Sequence, residues 1–435
     1  MQCAPNYRAN WACITEPVGA PFKNATRYNR ILSKSWAKQN YRSDARPSSD
    51  AAALGRCLAR LPEWAASDHE TCQYLHWTVF IMMHPMPTIE RQITDPDARR
   101  CLAGARCWLI TAGKAGMLTQ ANAIADALGV TATLKKVEPK GIWRLLAPRG
   151  PVAPSERFGK AGSRFAPPWP QIAIAVGRAS IPYIRALRSK AGTACFTVVL
   201  QDPKTGPDTA DLIWVPAHDK RRGPNVISTV ISPHSFSPDR LATLRQRSVP
   251  AIDALPEPRV AVILGGRNAV YKYTADDDRR LLDALEGIAE QGASFLITSS
   301  RRTHPELAAA VDRATAASPR IVWSGGAPEA NPYADFLARA DYFIVTADSV
   351  NMTGEASATG RPIYVFHPSG GSAKFTRYHR SLEALGATRR LADHPERLEN
   401  WSYAPQDATD LIVHEIEKRY FKRSAILPGS RCDTD

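Results

Sequence analysis

Short apolar segments alternate with helical segments along most of this 435-residue chain, and this alternation constrains its fold more than any other feature. Runs that are apolar at nearly every position are typical of strands buried on both faces. Helices between such strands favour a parallel sheet covered by helices. The first series contains predicted strands over 107–111, 130–137, 172–177, 195–200 and 212–215, with helices over 117–128 and 179–190.

A second series of the same kind follows residues 248–258, a segment with three prolines that we interpret as an interdomain linker. We therefore predict an α/β fold with two Rossmann-like, doubly wound domains, over 101–247 and 259–406, facing each other across a cleft. Clefts of this kind bind ligands. The second series has predicted strands over 260–264, 294–298, 321–323, 342–345 and 362–366 and helices over 275–290, 304–316, 333–339 and 349–358, followed by a closing helix over 407–421 and a flexible tail over 422–435.

Residues 1–100 mix Pro, Asn, Ser, Trp and Arg without a sustained period. We interpret them as a poorly ordered N-terminal extension. An alternative is a start assigned too far upstream, since Met82, Met83 and Met86 are also in frame.

The cysteines form no CxxC pair, and none has a histidine at zinc-finger spacing. We expect free thiols in a reducing, cytoplasmic compartment, and no metal site. No run of about 18 uncharged apolar residues is present, so no membrane-spanning helix is expected. The eight cysteines are Cys3, Cys13, Cys57, Cys72, Cys101, Cys107, Cys195 and Cys432.

The net charge of +14 favours anionic partners. Residues 135–164 hold eight Lys/Arg against two acidic residues, and they surround the apolar residues Ile142, Trp143, Leu145 and Leu146. One interpretation is a solvated basic loop. The other is peripheral contact with an anionic membrane surface, on the inner face of the membrane. Nucleic-acid binding is not expected, because no nucleic-acid-binding motif accompanies the charge.

Three turns of the second domain lie where a strand ends and a helix begins, at the ligand-binding edge of a parallel sheet. In the first turn, paired glycines allow backbone N–H groups to approach a phosphate, although a tight turn also explains them. In the second, adjacent arginines suit a clamp on phosphate or carboxylate. In the third, a tyrosine can stack on a base, although Asn-Pro also suits a helix start. The binding candidates are Gly265, Gly266, Arg267 and Asn268 in the first turn, Ser299, Ser300, Arg301, Arg302 and Thr303 in the second, and Asn331 and Tyr333 in the third.

A fourth turn, at Asp348-Ser349, gives the strongest signal for a nucleotide site. Ser349 and the N-terminus of the following helix can hold a phosphate oxygen. Glu355 lies six residues further on, where it can accept hydrogen bonds from ribose hydroxyls, and Met352 lies between them. We predict that these residues bind a nucleotide sugar.

The pattern Asp-Ser…Glu-Ala-x-x-x-Gly-x-Pro over 348–362 resembles the donor-binding segment of GT-B glycosyltransferases and related sugar-nucleotide epimerases. Over about 102–420 the chain resembles the plant mitochondrial-fission factor (elongated-mitochondria protein) family and its bacterial relatives. The matching segments are Thr111–Gly116 with Gln120, Pro167–Pro170 with Gly177-Arg178, Gln201–Pro203, Pro216–Asp219, Gly223–Val226, Ser299 with Arg301–Thr303, Asn331–Tyr333, and Thr346–Met352 with Glu355.

The resemblance implies a GT-B-like fold in which Gly113, Lys114, Gly116 and Gln120 face the cleft from the first domain. Inverting GT-B enzymes often place a catalytic His in this loop, and this sequence has none there. The remaining candidates for a catalytic base are His218 beside Asp219, and Asp202 at another strand end, although capped turns also explain these residues.

The preferred hypothesis is that the chain binds a nucleoside-diphosphate sugar as substrate, holds no tightly bound cofactor, and transfers the sugar to a membrane or surface-glycan acceptor. Two alternatives remain. One is a nucleotide-sugar epimerase, and the other is a non-catalytic scaffold with a GT-B-like fold that recruits a protein partner, as the plant relative does.

Overall fold

The computed structural model describes residues 102–324 and 331–424. The first half of this region is a sheet of six parallel strands in the order β2-β1-β3-β4-β5-β6. The predicted N-terminal extension lies outside the described residues, as do six of the eight cysteines. The strands are β1 Arg106–Thr111, β2 Thr131–Lys136, β3 Ile172–Val176, β4 Phe196–Leu200, β5 Leu212–Pro216 and β6 Val226–Thr229, and the helices are α1 Ala115–Ala127, α2 Gly141–Leu146, α3 Ile181–Ala191, α4 Pro238–Gln246 and α5 Pro250–Asp253.

A second sheet of six parallel strands has the order β12-β11-β10-β7-β8-β9. The α/β fold with two doubly wound, Rossmann-like sheets is therefore confirmed. Its strands are β7 Arg259–Leu264, β8 Ser294–Ser299, β9 Arg320–Trp323, β10 Tyr342–Thr346, β11 Ile363–Phe366 and β12 Thr388–Arg390, and its helices are α6 Ala275–Ala289, α7 Pro305–Ala314, α8 Tyr333–Arg339, α9 Val350–Ser357, α10 Ala373–Ala384 and α11 Ala408–Ser424.

The central strands form because their side chains are apolar on both faces and helices cover both faces of each sheet. Every residue of β3 and of β4 is buried. By contrast, β2 lies at an edge of the first sheet, and its side chains are mostly exposed. The buried central strands therefore fix the register, and the turns at their carboxyl ends take defined positions.

The direction in which strands are added reverses once in each sheet, and ligands of doubly wound proteins bind at such points. In the first sheet the reversal lies between β1 and β3, and in the second it lies between β7 and β10. The turn after β1 contains Gly113. The turns after β7 and β10 contain the pair Gly265-Gly266 and the pair Asp348-Ser349, so two of the predicted turns adjoin one another.

The last two helices, α10 and α11, pack against the first sheet. Ile412 and Ile416 of α11 and Leu382 of α10 pack in one buried cluster with Leu109 and Trp214 of the first sheet. Further along α11, Arg423 forms a 3.0 Å ion pair with Asp211. The two halves are thus joined by a shared core as well as by the segment 248–258, which itself contains the short helix α5.

Among the described residues, no helix combines the length and the apolar character needed to cross a bilayer. The two cysteines in this part of the chain, Cys107 and Cys195, are buried and carry free thiols.

Candidate functional site

A cavity of about 570 Å³ lies where the two halves of the molecule meet. Both halves contribute to its wall, as expected for two doubly wound domains that face each other across a cleft. Its lining residues are Lys114, Gly116, Met117, Gln120, Gln201, Trp214, Pro216, His218, Asp219 and Ser232 from the first half, and Val350, Asn351, Lys374, Phe375 and Tyr378 from the second.

Three helices begin at this cavity, and none of them is capped. The first turns of α1, α9 and α10 contribute lining residues such as Gly116, Val350 and Phe375. Within the described part of the chain, no side chain accepts a hydrogen bond from these first turns, and none of the three first turns contains an acidic residue. In contrast, α6 has a capping box at Thr274 and Asp277. Unpaired N–H groups and the positive ends of three helix dipoles therefore meet at one cavity.

Two lysines add positive charge at the same place. Lys114 is the residue before α1, and Lys374 lies in the first turn of α10. Cations at helix N-termini are unfavourable, because they oppose the helix dipole. Only the Lys374 ammonium has an acidic partner among the described residues, Asp219 at 3.0 Å. An anion bound in the cavity would compensate this charge.

The three candidate bases differ in their surroundings. His218 lines the cavity, and its ring contacts that of Tyr378 edge-on. Burial, followed by the charge of Lys374, lowers the pKa of His218 to about 4, so the imidazole is neutral at pH 7. Asp219 is paired with Lys374, as above. Asp202 does not line the cavity.

Asp202 is held in two ion pairs, with Lys204 and Arg221, each at 2.7 Å. Burial disfavours its charged form, but the hydrogen bonds from these two cations outweigh burial and lower the pKa of Asp202 to about 2. A carboxylate stabilised in this way is a weak base. His218 is therefore the candidate base best placed to act in the cavity.

The carboxylate of Asp348 connects the turns after β7, β8 and β10. It accepts hydrogen bonds from Gly266 N, at 2.9 Å, and from Tyr273 Oη, at 2.6 Å, and it forms a 2.9 Å ion pair with Arg302. Gly265 N donates to Thr346 Oγ1 at 2.7 Å. The backbone N–H groups of both glycines are therefore bound within the protein, and so are the oxygens of Asp348.

Close packing accounts for the two glycines. A Cβ on Gly265 would collide with the Asp348 carboxylate, and a Cβ on Gly266 would collide with the carbonyl group of Arg302. The other predicted residues of these turns are bound locally or exposed. In the turn after β7, Asn268 Oδ1 accepts hydrogen bonds from two following backbone N–H groups, and Arg267 donates to Tyr273 O. In the turn after β8, Thr303 Oγ1 donates to Leu264 O, and Ser300 Oγ accepts from Arg302 N. Ser299 is partly buried, and Arg301 is exposed.

Glu355 is a buried residue of α9. Its Oε2 accepts a 2.6 Å hydrogen bond from Tyr333 Oη, and burial raises the pKa of Glu355 to about 7. Asn331 Oδ1 accepts from Tyr333 N and so begins α8. Ser349 Oγ is buried and has no hydrogen-bond partner in the described part of the chain, and Met352 is half-buried.

The predicted residues thus fall into two groups. Lys114, Gly116, Gln120, His218 and Asp219 line the cavity, and Gly113 lies in the turn beside it. The predicted residues of the second domain do not line it. They lie in the hydrogen-bonded turns after β7, β8 and β10 and at the contact of Glu355 with Tyr333.

Sequence reasoning missed helix α10, which supplies Lys374, Phe375 and Tyr378 to the cavity. Tyr378 Oη also donates to Val350 O at 2.7 Å, so α10 positions the first turn of α9. The signal was present, because Phe375, Tyr378 and Leu382 have the spacing of an amphipathic helix. No group of three or more His, Cys, Asp and Glu that could hold a metal occurs within 102–324 and 331–424.

Two doubly wound sheets with a cationic cavity between them define an α/β protein of two Rossmann-like domains that share one cavity. The chain belongs to the Mitochondrial fission ELM1 family, whose model matches residues 115–420. It is 30% identical over 278 residues to the mitochondrial fission protein ELM1 of Arabidopsis thaliana, covering 58% of this chain and 65% of that protein. It is 34% identical over 160 residues to an uncharacterized protein of Rickettsia prowazekii (strain Madrid E), covering 36% of this chain and 45% of that protein. The chain thus spans less than two thirds of the length of either relative.

Solved structures with a similar chain trace are more distant. MurG of Acinetobacter baumannii is 14% identical, with a TM-score of 0.40, over 74% of this chain and 93% of that one. The UDP-GlcNAc 2-epimerase of Neisseria meningitidis bound to UDP-GlcNAc is 11% identical, with a TM-score of 0.42, over 72% and 100%.

Proposed function

We propose that the chain binds a nucleoside-diphosphate sugar in the cavity between the two sheets. The observation that carries this proposal is the meeting of three uncapped helix N-termini, those of α1, α9 and α10, with Lys114 and Lys374 at one cavity. Helix N-termini bind phosphate through free N–H groups and the helix dipole, and lysines add charge. The volume of about 570 Å³ lies in the range of small-molecule sites.

In this proposal the diphosphate lies at the helix N-termini, and sugar transfer would use His218 as the base. His218 is neutral at pH 7 and lines the cavity, so its ring can accept a proton from an acceptor hydroxyl. The helix N-termini would stabilise the negative charge that develops on the leaving diphosphate. Epimerisation of the sugar remains an alternative reaction for the same ligand.

Calorimetry with UDP, GDP, CMP and their sugars tests the binding step. We expect at least one of them to bind, and Lys114→Gln with Lys374→Gln to weaken binding by about tenfold or more, since each replaces a charged phosphate contact. Lys160→Gln, an exposed lysine outside the cavity, is the matched control. If none of these compounds binds to a folded sample, the proposal is wrong.

A second candidate is a scaffold that binds a ligand without turnover. Two of the three candidate bases, Asp202 and Asp219, are held in ion pairs, and this favours it. The Arabidopsis relative is named a mitochondrial fission protein. Release of nucleoside diphosphate from a bound sugar nucleotide separates the two candidates. Turnover that His218→Ala abolishes supports transfer, whereas binding without any turnover supports the scaffold.

We further propose that helix α2 contacts an anionic membrane surface. Leu134, Ile142, Leu145 and Leu146 are four of the seven exposed large hydrophobic side chains among the described residues, and Leu145 is 71% exposed. Lys140 and Arg144 are exposed beside them. Apolar side chains that insert among lipids, with lysine and arginine at the headgroups, suit such a surface.

The position of α2 relates this contact to the cavity. Arg178 Nη2, in the turn after β3, donates to Leu145 O at 2.9 Å. The Lys136 side chain lies against Gly113, in the turn after β1 and next to the cavity-lining Lys114. The α2 surface and the first-domain wall of the cavity are therefore on the same edge of the sheet, which suits an acceptor held in the membrane.

A further inference from the structure

Gln201 adopts a backbone conformation that disfavours its side chain. It follows β4 directly, its φ is 79°, and its N–H donates to Trp214 O at 2.8 Å. At this φ a glycine is unstrained, whereas a residue with a Cβ is not. Strain of this kind is concentrated at functional sites, where the side chain is required despite its conformational cost.

The Gln201 side chain is held against Gln120. Gln201 Nε2 donates to Gln120 Oε1 at 3.2 Å, and Gln120 is a buried residue of α1 that is 5% exposed. Both side chains line the cavity. This one hydrogen bond leaves the N–H₂ group of one glutamine and the carbonyl oxygen of the other outside the pair, whichever of the two residues is the donor. Neither of these has a hydrogen-bond partner within the described residues.

The two amides differ in chemistry from the rest of the polar wall. Lys114, Lys374 and three helix N-termini make part of the cavity cationic, whereas the amides are neutral. An adjacent donor and acceptor match a hydroxyl or acetamido group on an uncharged ligand part.

We propose that Gln201 and Gln120 form the subsite for the uncharged, hydroxyl- or amide-bearing part of the ligand. The proposal rests on the proposed function for the identity of the anionic part, which lies at the lysines and helix N-termini. Gln201 positions the pair, because its left-handed backbone directs the amide toward Gln120. The subsite would thus recognise the sugar, and the cationic wall would recognise the diphosphate.

N-Acetylglucosamine is the probe, because it is uncharged and carries both hydroxyl and amide groups. In the full chain labelled with ¹⁵N-glutamine, titration with this sugar should shift the side-chain amide signals of Gln120 and Gln201. Gln201→Gly removes the amide and suits the backbone conformation, so the protein should remain folded. We expect about 3- to 10-fold weaker binding by this variant, the usual effect of losing one neutral hydrogen bond.

Arg157→Gly is the matched control, because Arg157 also has a positive φ, of 47°, and it is exposed outside the cavity. It should bind the sugar like the wild type. Gln201→Asn keeps an amide on a residue that tolerates this backbone, and it should bind with intermediate affinity. No shift of either glutamine signal at high sugar concentration, or equal binding by Gln201→Gly and the wild type, would overturn the subsite.

The same titrations separate this inference from the proposed function. Glutamine shifts with N-acetylglucosamine, together with no binding of UDP, GDP, CMP or their sugars, would support the subsite and contradict the nucleotide proposal. Nucleotide binding without glutamine shifts would support the nucleotide proposal and contradict the subsite.

Discussion

The hydroxyl group of Tyr273 donates a 2.6 Å hydrogen bond to the carboxylate of Asp348, and both side chains are buried. Tyr273 lies after β7 and Asp348 after β10, so this bond connects the two turns at the reversal point of the second sheet. Tyr273 also has a positive φ, of 55°. The carboxylate accepts hydrogen bonds that hold neighbouring turns together, which is a structural role. The sequence alone does not distinguish this role from ligand binding.

Replacing Asp348 should therefore destabilise the fold. We expect Asp348→Asn to lower the free energy of unfolding by about 3 kcal/mol, because the buried network loses its negative charge and one of its two acceptor oxygens. Tyr273→Phe should cost about 1–2 kcal/mol, since it removes one donor. Urea unfolding measures both, with Asp126→Asn at an exposed position as the control. Unchanged stability of Asp348→Asn would contradict this role.

Gly266 should tolerate no side chain. A Cβ there would overlap the Arg302 carbonyl group, so Gly266→Ala requires the turn after β7 or β8 to move, and we expect a loss of about 3 kcal/mol or more. Gly206 is the matched control, because a Cβ there meets nothing within 4 Å and its φ is −61°. Thermal unfolding of the two alanine variants makes the comparison. Equal melting temperatures would show that close packing does not explain this glycine.

Glu355 should make stability fall as pH rises. Burial raises its folded-state pKa to about 7, above the ordinary value of 4.5. Between these values the folded state holds a proton that the unfolded state has lost, so stability decreases through this window. Glu355→Gln stays uncharged and lacks this decrease, which amounts to at most about 3 kcal/mol.

Urea unfolding of the wild type and of Glu355→Gln, at pH values below 4.5 and above 7, provides the test. The free energy of unfolding of the variant, relative to that of the wild type, should increase as pH rises. A difference between the two proteins that is independent of pH would mean that the pKa of Glu355 is the same in the folded and unfolded states, and would contradict this prediction.

Binding to vesicles should require both the apolar and the basic residues of α2. Vesicles that contain phosphatidylserine should carry the protein on flotation, and Ile142→Ser with Leu145→Ser should reduce binding by about tenfold or more. Lys140→Gln with Arg144→Gln should have a similar effect, which added salt reproduces in the wild type. Leu411→Ser, at another exposed leucine, is the control. Equal flotation with neutral phosphatidylcholine vesicles would contradict the membrane contact.

The alternation of strands and helices was enough to predict the architecture. Central strands such as β3 are apolar at every position, and their buried surroundings match that pattern. The elements that escaped prediction have weaker patterns. β6 is only partly buried, α2 exposes its apolar residues, and α10 mixes three Lys/Arg residues with its apolar spacing.

The site was harder to predict for a different reason. The order of strands brings the turns after β7 and β10 together, and that order is a long-range property that local patterns do not contain. Thus Asp348 and Gly266 have the composition of a phosphate site, whereas their hydrogen bonds are made to each other. The cavity forms where α10 meets the loop that carries His218, a contact between residues 159 positions apart in sequence.

The most direct test of the account is a crystal structure of the full chain soaked with UDP, or with whichever of UDP, GDP and CMP calorimetry selects. We predict phosphate oxygens within hydrogen-bond distance of backbone N–H groups at the starts of α1, α9 or α10 and beside Lys114 or Lys374. A phosphate bound elsewhere on the molecule, or a cavity left empty by a nucleotide that binds in solution, would contradict the account.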